Sequence, residues 1–272
     1  IGVLILSPDS LLIRLVNLDD FSLIFYRSAL PIVTILIFLI YTYQKSFLKS
    51  FYLIGVPGII YAILYAITHI CFVYSIQNTA VANTLVLIAS APIFAALFSV
   101  FILKEMPSLF TWIVILIAMF AMIIIGVGSF TTTGLYGDLM ALIVAIGMGF
   151  SMVLVRLFKN KDLVPACLLG CLISALYALP FGINFDLNNS QFILILIMCL
   201  IILPIPFMIM TISPKFAPAH EVALIFLLES VLGTTWVWFV IKEVPPLNTI
   251  IGGMILLISV TIFIVKTTKF KN

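Results

Sequence analysis

The chain has 272 residues, of which 64% are hydrophobic and 8% charged, with a mean hydropathy of +1.37. Soluble domains carry about 25% charged residues, so this composition excludes a water-facing globule. At roughly 20 apolar residues per membrane span, the length accommodates ten helices with short connections and leaves no room for a separate soluble domain.

Hydrophobic runs broken by charges, Pro, Asn or Gly place the spans at Ile1–Asn17, Ser22–Tyr43, Phe51–Ile76, Ala80–Leu103, Ser108–Ser129, Tyr136–Phe158, Leu163–Gly182, Ser190–Ser213, Ala219–Ile241 and Leu247–Lys266. Ile1 opens inside an apolar run, so the first span is expected to lack its start, and the run does not read as a signal peptide. An unpaired backbone amide in lipid costs several kcal/mol, so these spans are expected to be helices. The expected fold is an all-α integral membrane protein. Cys71, Cys167, Cys171 and Cys199 all fall inside apolar runs and read as small packing residues.

Lysine and arginine set the orientation. With the N-terminus inside, one side collects Lys45, Lys49, Lys104, Arg156, Lys159, Lys161, Lys215, Lys266, Lys269 and Lys271. The other side receives only Arg14 and Lys242, while Arg27 lies within a span. Both termini are therefore expected in the cytoplasm, in a multi-pass inner (plasma) membrane protein.

The chain also echoes itself. A shift of 138 residues superposes Lys104-Glu105 on Lys242-Glu243, Pro107 on Pro245, and Asn83 on Glu221. Leu12-Ile13-Arg14-Leu15 likewise resembles Leu154-Val155-Arg156-Leu157. Five spans per copy is an odd number, so the second copy must be inverted, which is a plan of secondary transporters. The expected division is 1–130 and 131–272, two inverted five-helix repeats around a central cavity.

Charges near the bilayer centre are costly and each is a functional candidate. Glu229 lies near the middle of the ninth span, about 15 Å from its start at 1.5 Å per residue. Glu221 precedes it by two turns on the same stripe and corresponds to Asn83 in the fourth span. Arg27 sits about 12 Å inside the second span and requires a carboxylate partner, whether Glu229, Asp9 or a substrate. A zwitterionic amino acid would fit, its carboxylate taken bidentately by Arg27 and its ammonium by an acid. Asp9 follows Pro8 in Leu6-Ser7-Pro8-Asp9-Ser10, where proline breaks the first helix; Pro204 and Pro206 interrupt the eighth. Tyr61, Tyr65, His69 and Phe72 share one face of the third span with Thr68 beside them, suited either to packing or to a ligand wall. His220 reads as an interfacial histidine, and Trp236 and Trp238 as belt residues. Glu105 and Glu243 each precede a proline at the next helix start and read as dipole-complementing acids.

On these residues the chain resembles the drug/metabolite transporter superfamily, specifically its EamA-type ten-helix members. The points of likeness are the duplicated five-helix unit, Phe25-Tyr26-Arg27-Ser28-Ala29-Leu30 in the second span, Leu228-Glu229-Ser230 in the ninth, and Lys-Glu-x-Pro before the fifth and tenth. Ser230 departs from the family pattern, where Pro usually follows this Glu. The resemblance implies a helical basket around a central cavity and, commonly, export of amino acids or related metabolites. The expected function is a secondary transporter of small polar metabolites working by alternating access. Candidate site residues are Glu229, Arg27, Asp9, Asn83, Tyr65, His69 and Glu221; the expected partners are a small-molecule substrate, the bilayer and protons as coupling ion, with no nucleic acid and no cofactor. The alternatives are a channel or facilitator and an intramembrane enzyme. Glu221 and Glu229 are about 12 Å apart along one helix, too far to share a proton, and no Gly-x-Ser-x-Gly elbow occurs.

Overall fold

The computed structural model describes residues 1–79, 81–126, 134–242 and 247–269. Glu243, Pro245 and Lys271 lie outside the described residues. The first apolar run is two helices, α1 (Gly2–Leu6) and α2 (Asp9–Val16). Pro8 has no N–H to continue the ladder, and the Ser7 hydroxyl donates to the Leu4 carbonyl at 2.9 Å, satisfying an acceptor at the break. α2 ends on Asn17 in the left-handed conformation. The Asp19 side chain then accepts from the Ser22 amide at 3.0 Å and starts α3 (Asp20–Tyr43), as an N-cap does.

α4 (Phe47–Asn78) bends at Gly55, whose φ of 58° and ψ of −157° belong to a region open essentially to glycine alone. The fourth run is divided into α5 (Val81–Ile88) and α6 (Ala91–Phe98), followed by α7 (Leu109–Gly126), α8 (Leu135–Leu157) and α9 (Val164–Ala178). In the eighth run α10 (Asn189–Ile197) passes through one widened turn, Met198–Ile202, before α11 (Pro204–Ile212). There the Leu203 amide reaches back five residues to the Met198 carbonyl, and the Thr34 hydroxyl donates to the freed Leu200 carbonyl at 2.7 Å. The ninth run is α12 (Ala219–Phe226) and α13 (Leu228–Ile241), and α14 (Leu247–Lys269) closes the chain.

Among the described residues, seven helical stretches are long and apolar enough to cross a membrane. One of them, Asp20–Asn78, is 59 residues long and holds both α3 and α4. Large apolar side chains such as Ile37, Leu116, Phe120, Leu176 and Ile262 are exposed, as expected where lipid is the solvent. The protein is a multi-pass integral membrane protein.

Small residues allow close helix approach. A Cβ at Gly149 of α8 would lie 2.8 Å from the Ala95 amide nitrogen of α6, and one at Gly170 of α9 would lie 3.0 Å from the Ala62 carbonyl oxygen of α4. Three buried clusters form the core. The first centres on α1, α2, α3 and α10–α12, the second on α3, α4, α9 and α11, and the third on α5–α7 and α12–α14.

The polar connections gather at two ends. At one, Gln77 donates to the Leu18 carbonyl, Gln191 to the Val16 carbonyl, Tyr26 to the Asn184 carbonyl and Thr79 to Asp138. At the other, Arg156 pairs with Glu105 at 3.1 Å, Lys215 with Asp162 at 3.4 Å, and the Tyr43 hydroxyl donates to Asp162. Glu105 is thus an ion-pair partner and lies before the first residue of α7, Leu109, rather than in its first turn. Trp236 is also more than a belt residue, since its indole N–H donates to the Ser7 hydroxyl at 2.8 Å and ties α13 to the break after α1.

Candidate functional site

Two of the helix breaks carry acids. Asp9 occupies the first turn of α2 and Glu229 the first turn of α13, where the unpaired amides and the dipole of a helix start favour negative charge. Both acids line one cavity of about 90 Å³.

Arg27, on α3, completes the charged part of that cavity. Its Nη1 donates to Asp9 Oδ1 at 2.6 Å and its Nη2 to Asp9 Oδ2 at 3.0 Å, a two-pronged pair. The two side chains are 1% and 3% exposed. The partner that Arg27 requires is therefore Asp9. Nη1 also contacts Met198 Sδ at 3.5 Å, in the widened turn of the eighth run. The guanidinium carbon stands 5.6 Å from the Phe72 ring centroid, within range of a cation–π contact. Nε of Arg27 is buried and has no hydrogen-bond partner among the described residues.

α4 supplies Tyr65, Thr68, His69 and Phe72 to the wall. The His69 ring stacks on Tyr65, with centroids 6.3 Å apart, and Tyr65 meets Phe207 edge-on at 5.4 Å. His69 Nδ1 is 3.2 Å from the Ser28 hydroxyl, while its buried Nε2 has no partner among the described residues. Tyr61, on the same stripe, turns away from the cavity to a separate buried set. Its hydroxyl meets that of Thr211 at 2.8 Å, and Thr211 also meets Cys167 Sγ at 3.0 Å.

Of the seven candidate residues, the structure brings Asp9, Arg27, Tyr65, His69 and Glu229 to one cavity. Asn83 and Glu221 are not among its lining residues. Asn83 is fully buried near the Gln77–Thr79 end, where its Nδ2 donates to Thr79 Oγ1 at 3.3 Å. Glu221 is half-buried at the start of α12, on the far side of the break at Leu227 from Glu229. Residues that sequence reasoning missed are apolar: Met148 and Met152 from α8, Phe207 and Met210 from α11, and Phe226 from α12. Nothing in an apolar run marks which methionine or phenylalanine faces a cavity and which faces lipid. A positional signal exists only for the fourth and ninth runs. Leu85, Ile88, Ala89 and Ala91 line the cavity, and so do Ala223, Phe226, Leu227 and Glu229, each 138 positions later.

Chemically, this is a mostly apolar pocket lined by one closed ion pair, one further carboxylate and two residues, Arg27 and His69, that each keep a buried nitrogen without a partner among the described residues. Such a pocket binds a small molecule by a few placed polar groups on an apolar surround.

No well-characterised protein matches the chain by sequence comparison. A protein of known crystal structure superposes with a TM-score of 0.78 at 15% identity, covering 100% of this chain and 96% of its own; at that identity the likeness concerns the fold alone. The model of the EamA-like transporter family matches twice, over residues 4–127 and 135–265. With nearly the whole length covered by two copies of that model, the chain belongs to the EamA-like transporter family.

Proposed function

We propose that this transporter is a secondary carrier of small polar metabolites such as amino acids, working by alternating access, with export as its direction. In this reading ten spans form two inverted halves, 1–130 and 131–272: α1–α2, α3, α4, α5–α6 and α7, then α8, α9, α10–α11, α12–α13 and α14. The helix breaks support it. α5 and α12 begin and end 138 residues apart, and so do the left-handed residues Lys104 (φ 57°) and Lys242 (φ 59°) that end the fourth and ninth runs. The gathering of Lys and Arg at the Arg156–Asp162 end supports cytoplasmic termini in the inner membrane.

The observation that carries the reading is the cavity itself. It is lined by offset-matched residues of both halves, with Asp9 and Arg27 from the first and Glu229 from the second. A carboxylate there can hold either a proton or a substrate ammonium, which makes the proton the coupling ion. The test is uptake by proteoliposomes of a labelled amino-acid panel with and without a proton gradient. Glu229→Gln is expected to abolish gradient-driven movement while the purified variant remains folded. Unaltered gradient-driven transport by Glu229→Gln overturns the assignment of Glu229.

A further inference from the structure

The charges in the cavity constrain its substrate more narrowly than the family does. Arg27 presents both terminal nitrogens to Asp9, so the face that would grip a substrate carboxylate is already in use. Counted as charged groups, Asp9 and Arg27 cancel and Glu229 leaves the lining at −1. In a mostly apolar site an uncompensated charge is costly, so an ionised Glu229 is answered either by a proton or by an occupant that carries one positive charge. A zwitterion leaves the sum at −1, and an anion lowers it further.

Two further lining residues, Arg27 and His69, bear on an occupant. Arg27 is 2% exposed and His69 6% exposed, and each keeps one buried guanidinium or ring nitrogen, Nε and Nε2, without a partner among the described residues. The Ser28 hydroxyl can donate to His69 Nδ1, which leaves the proton on Nε2. Arg27 Nε always carries one. Both nitrogens belong to cavity-lining residues, and a buried donor left unpaired is costly, which favours a ligand that brings an acceptor. Apart from Tyr65 and Thr68 the rest of the surround is apolar and includes Phe72, Phe207, Phe226 and three methionines, suited to a flat or bulky apolar body.

We propose that the cavity selects organic monocations, seating the cationic group at Glu229, a neutral acceptor oxygen at Arg27 Nε and His69 Nε2, and an apolar body between them. The proposal rests on the transporter reading of this cavity. Within small polar metabolites it favours amines, amides and basic amino acids over neutral zwitterions.

The test is equilibrium binding to the purified full chain in detergent, by thermal melt and calorimetry, with probes on one skeleton. Para-aminomethylbenzamide is a cation with an acceptor, benzylamine a cation without one, para-aminomethylbenzoate a zwitterion, and para-carbamoylbenzoate an anion. The benzamide is expected to bind at least about tenfold more tightly than either the zwitterion or benzylamine. Glu229→Gln is expected to move the preference by one charge, to the zwitterion. Asp9→Asn, which frees the paired face of Arg27, is expected to do the same by a separate route, so a folding failure in one variant leaves the other as the test. His69→Phe is expected to erase the advantage of benzamide over benzylamine. Equal or tighter binding of the zwitterion or the anion by the unaltered protein overturns the proposal, as does a charge preference that survives Glu229→Gln. Since binding is read without transport, failure here leaves the carrier reading to its own vesicle assay; failure of that assay leaves the binding result standing.

Discussion

At the scale of single residues, the Asp9–Arg27 pair is costly to bury and costly to break. Both side chains are almost wholly buried, so removing one strands the other in a medium that cannot solvate it. Arg27→Met is expected to destabilise the protein by about 3–5 kcal/mol, read as a large fall in melting temperature in detergent. The double variant Arg27→Met with Asp9→Leu is expected to lose clearly less than Arg27→Met alone, because no orphan charge remains. That Arg27 needed an acid was legible from its depth in an apolar span. Which acid it takes was not, since Asp9 and Glu229 both stand near it in the fold and only the turn between α1 and α2 decides which carboxylate meets the guanidinium in a two-pronged geometry. His69 was legible as one member of an aromatic stripe. Its partner Ser28, 41 positions away, and the free Nε2 belong to the packing of α3 on α4.

At the scale of elements, two glycines mark where geometry leaves no slack. A side chain at Gly149 would press on the backbone of α6 at Ala91 and Ala95. Gly149→Val is therefore expected to cost about 1–3 kcal/mol and to widen the α6–α8 contact beside the cavity, lowering both the melting temperature and ligand affinity. Gly55 holds a backbone conformation that other residues reach only under strain. Gly55→Ala is expected to cost about 1–3 kcal/mol, again read by thermal melt, with little effect on ligand affinity because Gly55 is not among the cavity-lining residues. The proline-marked breaks at Pro8 and Pro204 were readable because proline cannot donate to the ladder. The break at Ala89–Ser90 has the same kind of marker in Pro92, in the first turn of α6, whereas the break at Leu227 has no proline beside it. Glu105 shows the same limit: next to Pro107 it looks like a helix-start acid, yet Arg156, 51 positions on, takes it as an ion-pair partner.

At the scale of the whole molecule, the proposed orientation is open to direct labelling. The four native cysteines are buried and unpaired, so a membrane-impermeant maleimide is expected to leave them unmodified. A cysteine placed at Lys159 should label only in inside-out vesicles, and one at Asp186 only in right-side-out ones. The reverse pattern would invert the topology. Composition and the spacing of apolar runs alone determined that this chain lives in a bilayer, that its backbone is helical, and where the basic connections lie, because hydropathy, backbone desolvation and charge placement all act along the chain. The near-complete match of two family copies was foreshadowed in the 138-residue echo for the same reason. The cavity is different. Glu229, Arg27 and Asp9 could be nominated one by one as costly charges, but their assembly into a closed pair plus one further carboxyl group depends on side-chain distances of 2.6 and 3.0 Å between separate helices. Only tertiary packing sets those distances, and with them the charge that the cavity asks its occupant to bring.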